Sequence, residues 1–169
     1  MATPQENLLD WLRDAHAMEQ QAETMLTSQV ERLEHYPELR ARIQQHLEET
    51  HHQRAQLETC LQRLGSSPST LKDISGKVMA FGQGMVGMMM SDEVIKGAMS
   101  GYVFENMEIA SYTVLIEAAK VAQDTETHRV CEAILQQEIA MSDWLRQHLP
   151  ELTQAFLRRS AAPETEAKR

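Results

Sequence analysis

Residues 91–119 read SDEVIKGAMSGYVFENMEIASYTVLIEAA, and the periodicity of this segment predicts a long helix. Apolar side chains recur in it at alternating spacings of three and four, as in a helix that packs one face against a core. Ser91 or Asp92 is placed to cap the first turn, with Glu93 close behind. Glu105 interrupts the apolar stripe. We therefore expect a helical bundle with a polar centre. The stripe consists of Ile95, Ala98, Tyr102, Ile109, Tyr112, Ile116 and Ala119.

Three more stripes of this kind flank the first one. They cover residues 8–33, 39–64 and 131–148, and they end at the Tyr36–Pro37 step, at Gly65 and before Pro150. The links within each pair of helices are short, which predicts two antiparallel hairpins. Residues 66–91 are long enough to cross a bundle, with a short helix expected around Leu71 to Phe81. The sequence thus predicts an all-α, ferritin-like antiparallel four-helix bundle, with a long crossover carrying a short extra helix.

Composition limits the domain count and the classes of partner. A chain of 169 residues favours one domain, here residues 1–159, followed by a small, charged tail at 160–169 that we expect to be disordered. The formal charge of −9 argues against nucleic acid. Residues 78–90 are too short and too rich in glycine to span a bilayer, and nothing resembles a signal peptide. Cys60 and Cys131 lack metal-ligand spacing, so we expect buried thiols in a cytoplasmic protein.

Carboxylates on the apolar stripes predict the chemistry. Glu19, Glu105 and Glu138 lie on three of the stripes, and Glu49 lies on the flank of the fourth, three residues after His46. Buried carboxylates require protons, cations or a metal to neutralise them. Carboxylates with imidazole suit iron or manganese better than zinc, which prefers Cys and His in structural sites. We therefore expect a site for two iron ions, with manganese as the alternative.

The histidine ligand is ambiguous in the sequence. The general di-iron pattern combines single glutamates with Glu-x-x-His motifs, and Glu49 with His52 forms one such motif. His46, however, lies at the centre of its stripe, whereas His52 lies off it. On the fourth helix Met141 stands where a second histidine is expected, and Glu108 is the carboxylate that could compensate. The predicted ligands are Glu19, Glu49, His52, Glu105, Glu108 and Glu138. The groups expected to contact those ligands are His46, His16 and Tyr112.

Four segments resemble one known family. They are WLRDAHAMEQQAE (11–23), PELRARIQQHLEET (37–50), SDEVIKGAMSGYVFENMEIASY (91–112) and the helix around Glu138 with DWL (143–145). These segments resemble the YciE/YciF group of ferritin-like bacterial proteins, over nearly the whole chain apart from the tail. The resemblance implies a five-helix, dimeric domain associated with stress responses. More distantly, the six predicted ligands match the pattern of rubrerythrin-type sites.

Two functional hypotheses follow. The leading one is a di-iron or di-manganese carboxylate protein that reacts with oxygen or peroxide, for which the sequence identifies no catalytic residue. The alternative is a structural or interaction protein that keeps the bundle and binds metal weakly or not at all, and the missing second histidine favours it. A homodimer is expected, because bundles of this size commonly bury leftover apolar surface against a copy of themselves.

Overall fold

The part of the chain that the structure describes forms four long helices. The computed structural model describes residues 1–66 and 91–162. Helix α1 spans Pro4–Arg32, α2 spans Pro37–Arg63, α3 spans Glu93–Val121 and α4 spans Thr125–Ala161. Helices α1 and α2 pack along each other, as do α3 and α4, while α1 also contacts α3 and α2 contacts α4. The predicted all-α four-helix bundle is confirmed.

Local sequence sets the helix ends. Thr3 and Glu6 form a reciprocal capping box at the start of α1, which satisfies two of the amides that a helix start leaves free. Proline occupies the first position of α1 and of α2, where its missing N–H is harmless. Gly65 takes a positive φ of 81° directly after α2, a conformation that glycine adopts without strain. Pro37 thus places the turn between α1 and α2, and Gly65 the end of α2, where the sequence predicted them.

Ion pairs at the two ends of the bundle fix the helix directions. Arg32 at the end of α1 pairs with Glu93 at the start of α3, and Arg63 at the end of α2 pairs with Asp124 just before α4. All four neighbouring pairs are therefore antiparallel, and the diagonal helices α2 and α3 run in the same direction. The end of α2 and the start of α3 therefore lie at opposite ends of the bundle, as in the ferritin-like connectivity. The extra helix predicted around Leu71 to Phe81 lies outside the described residues.

Helix α4 is longer than the sequence predicted. It continues through Pro150 to Ala161, although proline removes one backbone hydrogen bond. Leu152, beyond the proline, is buried, and Ala155 and Phe156 pack against the core. Packing of this last segment offsets the lost hydrogen bond, so the expected end before Pro150 is wrong. The tail predicted at 160–169 begins no earlier than Ala162, and residues 163–169 are outside the described range.

The interior combines an apolar core with a polar centre. Large aliphatic side chains such as Leu12, Leu57 and Leu145 are almost fully buried, and both cysteines are free and buried, as predicted. Four glutamates and a histidine are buried among them at exposures of 1% or less. In the described residues no helix combines the length and the apolarity that a membrane crossing requires.

Candidate metal centre

The buried polar centre receives side chains from all four helices. Helix α1 contributes Glu19, α2 contributes His46, α3 contributes Glu105 and Glu108, and α4 contributes Glu138. One ligand atom from each of the last four lies within 4.8 Å of the others. We call these five residues the buried cluster. Its members come from positions on the inward face of each helix, so the same periodicity that builds the core also assembles the cluster.

His46 lies between the buried glutamates of the cluster and Glu49, which is nearer the surface. Its Nε2 is 3.1 Å from Glu105 Oε2 and 3.4 Å from Glu138 Oε2, and its Nδ1 is 2.9 Å from Glu49 Oε2. Glu49 keeps 20% of its side chain exposed and also accepts a hydrogen bond from Gln45 at 2.9 Å. The imidazole thus presents one nitrogen to the cluster while a carboxylate holds the other, which is how metal-binding histidines are commonly oriented.

The sequence suggested Glu49 as a metal ligand and His46 as a residue that contacts a ligand. The structure exchanges these two roles. Helix α2 buries His46, Thr50, Gln53 and Leu57, which lie three or four residues apart. Glu49 falls on the flank of that face, so it contacts the histidine and not the buried carboxylates. The structure therefore brings His46 into the cluster and leaves Glu49 outside it.

His52 is exposed, and the structure does not bring it to the cluster. One residue further along α2, Gln53 is fully buried and donates from Nε2 to Glu138 Oε1 at 2.5 Å and to Gln137 Oε1 at 3.0 Å. Thr50, three residues earlier, is also buried and donates to the His46 carbonyl at 3.0 Å. A step of one residue turns a helical side chain by about 100°. The buried neighbours on α2 are accordingly Thr50 and Gln53, while Glu49 lies on the flank of that face and His52 is exposed.

Tyr112 and His16 are both buried, with different partners. The Tyr112 hydroxyl donates to Glu19 Oε1, so the tyrosine contacts a cluster carboxylate, one of the roles that the sequence suggested for it. His16 Nε2 lies 2.9 Å from Glu58 Oε1 on α2, and this pair joins α1 to α2 outside the cluster. Met141 is buried at the position on α4 where a second histidine was missing.

Several polar atoms of the cluster have no hydrogen-bond partner. They include one oxygen each of Glu19, Glu105 and Glu138, both oxygens of Glu108, and Nε2 of His46, whose approach to its two carboxylates is not aligned as a hydrogen bond. An unsatisfied buried polar atom is costly, and here they converge from different helices on one place. Carboxylate oxygens and a neutral imidazole nitrogen are the donor set that iron and manganese accept. The residues present therefore fit a metal ion.

Burial and repulsion between the carboxylates shift the pKa values of the cluster and so determine which of its groups are protonated. Burial raises the pKa of Glu19 and of Glu108 well above the usual range, and neighbouring carboxylates raise both further. Burial raises the pKa of Glu105 to about 7, although contact with His46 opposes the shift. For His46, burial opposes the charged form, but contacts with Glu105, Glu138 and Glu49 prevail and raise its pKa. Without a metal, the cluster therefore holds protons that a bound cation would have to displace.

Comparison with known proteins identifies the family. The family model described as Domain of unknown function (DUF892) matches residues 3–158, which is nearly the whole bundle. The chain belongs to the DUF892 family. The crystal structure of protein XCC3681 from Xanthomonas campestris pv. campestris has 42% sequence identity to it and superposes with a TM-score of 0.80. That match covers 95% of the DUF892 chain described here and 100% of the Xanthomonas chain, so the bundle is shared along its full length.

The contact of Gln53 with the cluster of this DUF892 protein was not foreseen from sequence. Position 53 falls within the stripe at 39–64, but the Glu-x-x-His pattern favours the neighbouring residues Glu49 and His52. The signal that would have found the Gln53 contact is the stripe itself, because position 53 faces α4 at the level of Glu138. Helical phase is therefore a better guide to the site of this DUF892 chain than the short motif.

Proposed function

We propose that the protein is a ferritin-like carboxylate protein that binds two iron ions, with manganese as the alternative, and takes part in oxygen- or peroxide-linked redox chemistry. The observation that carries this proposal is the convergence of unpartnered carboxylate oxygens with His46 Nε2 in the buried cluster. Four glutamates buried together would otherwise lower stability without compensation. When bound, the metal would supply a Lewis acid and a source of electrons.

Different residues would bind the metal ions and orient the ligands in such a site. His46, Glu105, Glu108 and Glu138 form the group close enough to hold one ion. Glu19, whose carboxyl interacts electrostatically with Glu138 and Glu105, would hold a second ion together with Glu108 and Glu138. Glu49 orients His46 through Nδ1, and Tyr112 orients Glu19 through its hydroxyl. The surrounding aliphatic core excludes bulk water from the cluster.

The biological setting belongs to the same proposal. The resemblance to the YciE/YciF group supports a role in stress response, and the two free, buried thiols suit a reducing cytoplasm. Removing reactive oxygen species or holding iron in a controlled state would both use a buried site of this kind.

The test is metal content, measured with a matched pair of histidine variants. Protein loaded with Fe(II) without oxygen and then desalted should carry close to two irons per chain. His46→Ala should carry less than one, because it removes the imidazole of the cluster, whereas His52→Ala should remain at the wild-type level. Elemental analysis and the absorption spectrum after aeration provide the measurement. Wild-type protein with well under one metal per chain, for both iron and manganese, would refute the proposal.

A second candidate function is a metal-free structural or interaction protein. Gln53 and Tyr112 already donate hydrogen bonds to Glu138 and Glu19, and His46 Nε2 lies 3.1 Å from Glu105. Protons would then neutralise the remaining carboxyls. This candidate predicts that Fe(II) and Mn(II) leave the melting temperature unchanged, while the metal proposal predicts an increase with metal concentration.

A further inference from the structure

The two cysteines of the chain lie on neighbouring helices at the same level of the bundle. Cys60 on α2 is 2% exposed, and Cys131 on α4 is fully buried. Between the same two helices, Gln53 donates a hydrogen bond to Glu138. Cys60 follows Gln53 by seven residues, and Cys131 precedes Glu138 by seven. Because α2 and α4 are antiparallel and seven residues complete about two helical turns, this register sets Cys60 opposite Cys131.

A second contact between α2 and α4 supports this register. Arg63 donates from Nη2 to Thr127 Oγ1 at 2.8 Å. Cys60 precedes Arg63 by one turn, and Cys131 follows Thr127 by one turn on the same face of α4. A side-chain hydrogen bond links the Cys60 thiol to Thr127, and Cys60 is close enough to Cys131 to act on it electrostatically. The two thiols thus lie between two contacts that hold α2 and α4 together.

We propose that Cys60 and Cys131 form a dithiol pair, which a hydroperoxide such as hydrogen peroxide oxidises to a disulfide between α2 and α4. Packed helices have axes about 8–10 Å apart and carry their Cα atoms about 2.3 Å from each axis. Cα atoms that face each other directly therefore come within the range of roughly 4–7 Å that a disulfide requires. Rotation of the two short side chains then brings the sulfurs together.

The oxidation takes two steps. The Cys60 sulfur attacks one oxygen of hydrogen peroxide, the O–O bond breaks, and the thiol becomes a sulfenic acid while water leaves. The Cys131 sulfur then attacks the sulfenic sulfur, the S–S bond forms, and the hydroxyl group leaves with the Cys131 proton as a second water. The two thiols lose two electrons in total, and one peroxide accepts them. The facing position of Cys131 favours the second step over further oxidation of Cys60.

The surroundings of the two thiols determine which one reacts first. Burial raises the pKa of both, to about 12 for Cys131, but contact with Thr127 and the nearby Arg63 guanidinium oppose the rise at Cys60. The thiolate is the nucleophile, so Cys60 is the thiol that attacks peroxide. Because most of Cys60 stays protonated, the reaction is slow and responds to sustained exposure. Hydrogen peroxide is also small enough to enter a core that excludes larger disulfide reagents.

The disulfide would join the two helical hairpins covalently. Helix α2 belongs to the first hairpin and α4 to the second, so the bond closes a long loop of the chain. A cross-link that closes a long loop reduces the conformational entropy of the unfolded chain. Peroxide would therefore convert the protein into a form that resists unfolding. The reaction requires no metal in the buried cluster, so this proposal is independent of the proposed function.

The test treats the full chain with hydrogen peroxide in the presence of a chelator, and then counts free thiols after denaturation. Wild-type protein should lose both thiols together, migrate faster on a non-reducing denaturing gel, and yield one cross-linked peptide pair that contains Cys60 and Cys131. Dithiothreitol should restore both thiols. The melting temperature before dithiothreitol should exceed the value after it by about 5–10 °C. This comparison cancels methionine oxidation, which dithiothreitol does not reverse.

The matched controls are Cys60→Ala and Cys131→Ala. Each should keep the helix content and lose the change in melting temperature that depends on dithiothreitol. Peroxide should consume the remaining thiol faster in Cys131→Ala than in Cys60→Ala, because Cys60 is the attacking thiol. A double variant, Cys131→Ala with Val130→Cys, keeps a buried thiol at the same level of α4 but turns it by about 100°, and should form no disulfide.

Three results with wild-type protein would overturn the proposal, and none depends on a variant that folds. One is oxidation of each thiol to a separate acid, since the sulfurs would then not meet. Another is a disulfide between two chains in place of one within a chain. The third is retention of both thiols after prolonged exposure to a peroxide concentration that oxidises free cysteine completely.

Discussion

At the residue scale, the site depends on which nitrogen and which oxygens face inward. His46 contacts Glu49 through Nδ1 and approaches Glu105 and Glu138 through Nε2. A side chain held at both ends has little rotational freedom, so the imidazole is pre-organised with one nitrogen toward the cluster. Glu108 is the contrasting case, because neither of its oxygens has a hydrogen-bond partner.

Replacing Glu108 with leucine should stabilise the metal-free protein. The substitution removes a buried carboxyl without partners and keeps a similar volume, so we expect the free energy of unfolding to rise by about 1–3 kcal/mol. Urea unfolding in the presence of a chelator measures this change. Glu105→Leu is the control and should gain less, because it removes a carboxylate that lies 3.1 Å from His46 Nε2. A Glu108→Leu protein less stable than wild type would show that the carboxyl is better satisfied than its contacts indicate.

At the scale of elements, the junction between α2 and α4 predicts a dependence on pH. Asp124 caps α4 by accepting from the Thr127 amide at 3.1 Å and pairs with Arg63. Burial alone would raise the pKa of Asp124, but hydrogen bonds from Arg63 and Thr127 prevail and lower it. A carboxyl with a lowered pKa stabilises the fold above its unfolded-state pKa and loses that contribution as the pH falls through its folded-state pKa.

The corresponding variant is Asp124→Asn, which keeps a capping oxygen and removes the charge. We expect it to lower the free energy of unfolding at pH 7 by about 0.5–1 kcal/mol, a modest loss because solvent screens the partly exposed Arg63. Unfolding measured from pH 7 to pH 3 should show the difference from wild type shrinking below about pH 4, where Asp124 becomes protonated in the unfolded state. Asp143→Asn, at an exposed pair in the same helix, should show a smaller effect at every pH.

The same scale shows what could be predicted from the sequence. Apolar periodicity predicted four helices, and Pro37 and Gly65 placed the start and the end of α2, because these features act locally. The end of α4 could not be predicted from Pro150, since the deciding contacts of Leu152 and Phe156 come from distant parts of the chain. For the site, the stripes correctly placed Glu19, Glu105 and Glu138 in the interior, as well as His46. The Glu49–His52 motif misled because it carries no information about helical phase.

At the scale of the whole molecule, Cys60 and Cys131 report on the integrity of the bundle. Both thiols are buried, and burial raises the pKa of Cys131 to about 12 and also raises that of Cys60. The thiolate is the reactive form, so neither should react with a disulfide reagent in the native protein at pH 8. Labelling should accelerate with urea in parallel with loss of helical circular dichroism. Rapid labelling of either thiol without urea would indicate local opening between α2 and α4.

The buried cluster also has a consequence for how such a chain can change over generations. A single base change converts a glutamate codon to one for valine or alanine, and apolar replacements inside a bundle are often neutral or stabilising. Selection for stability alone would therefore let random drift remove Glu19, Glu105, Glu108 and Glu138, which together occupy the centre of the core. Pressure other than stability is needed to keep four such residues in one interior.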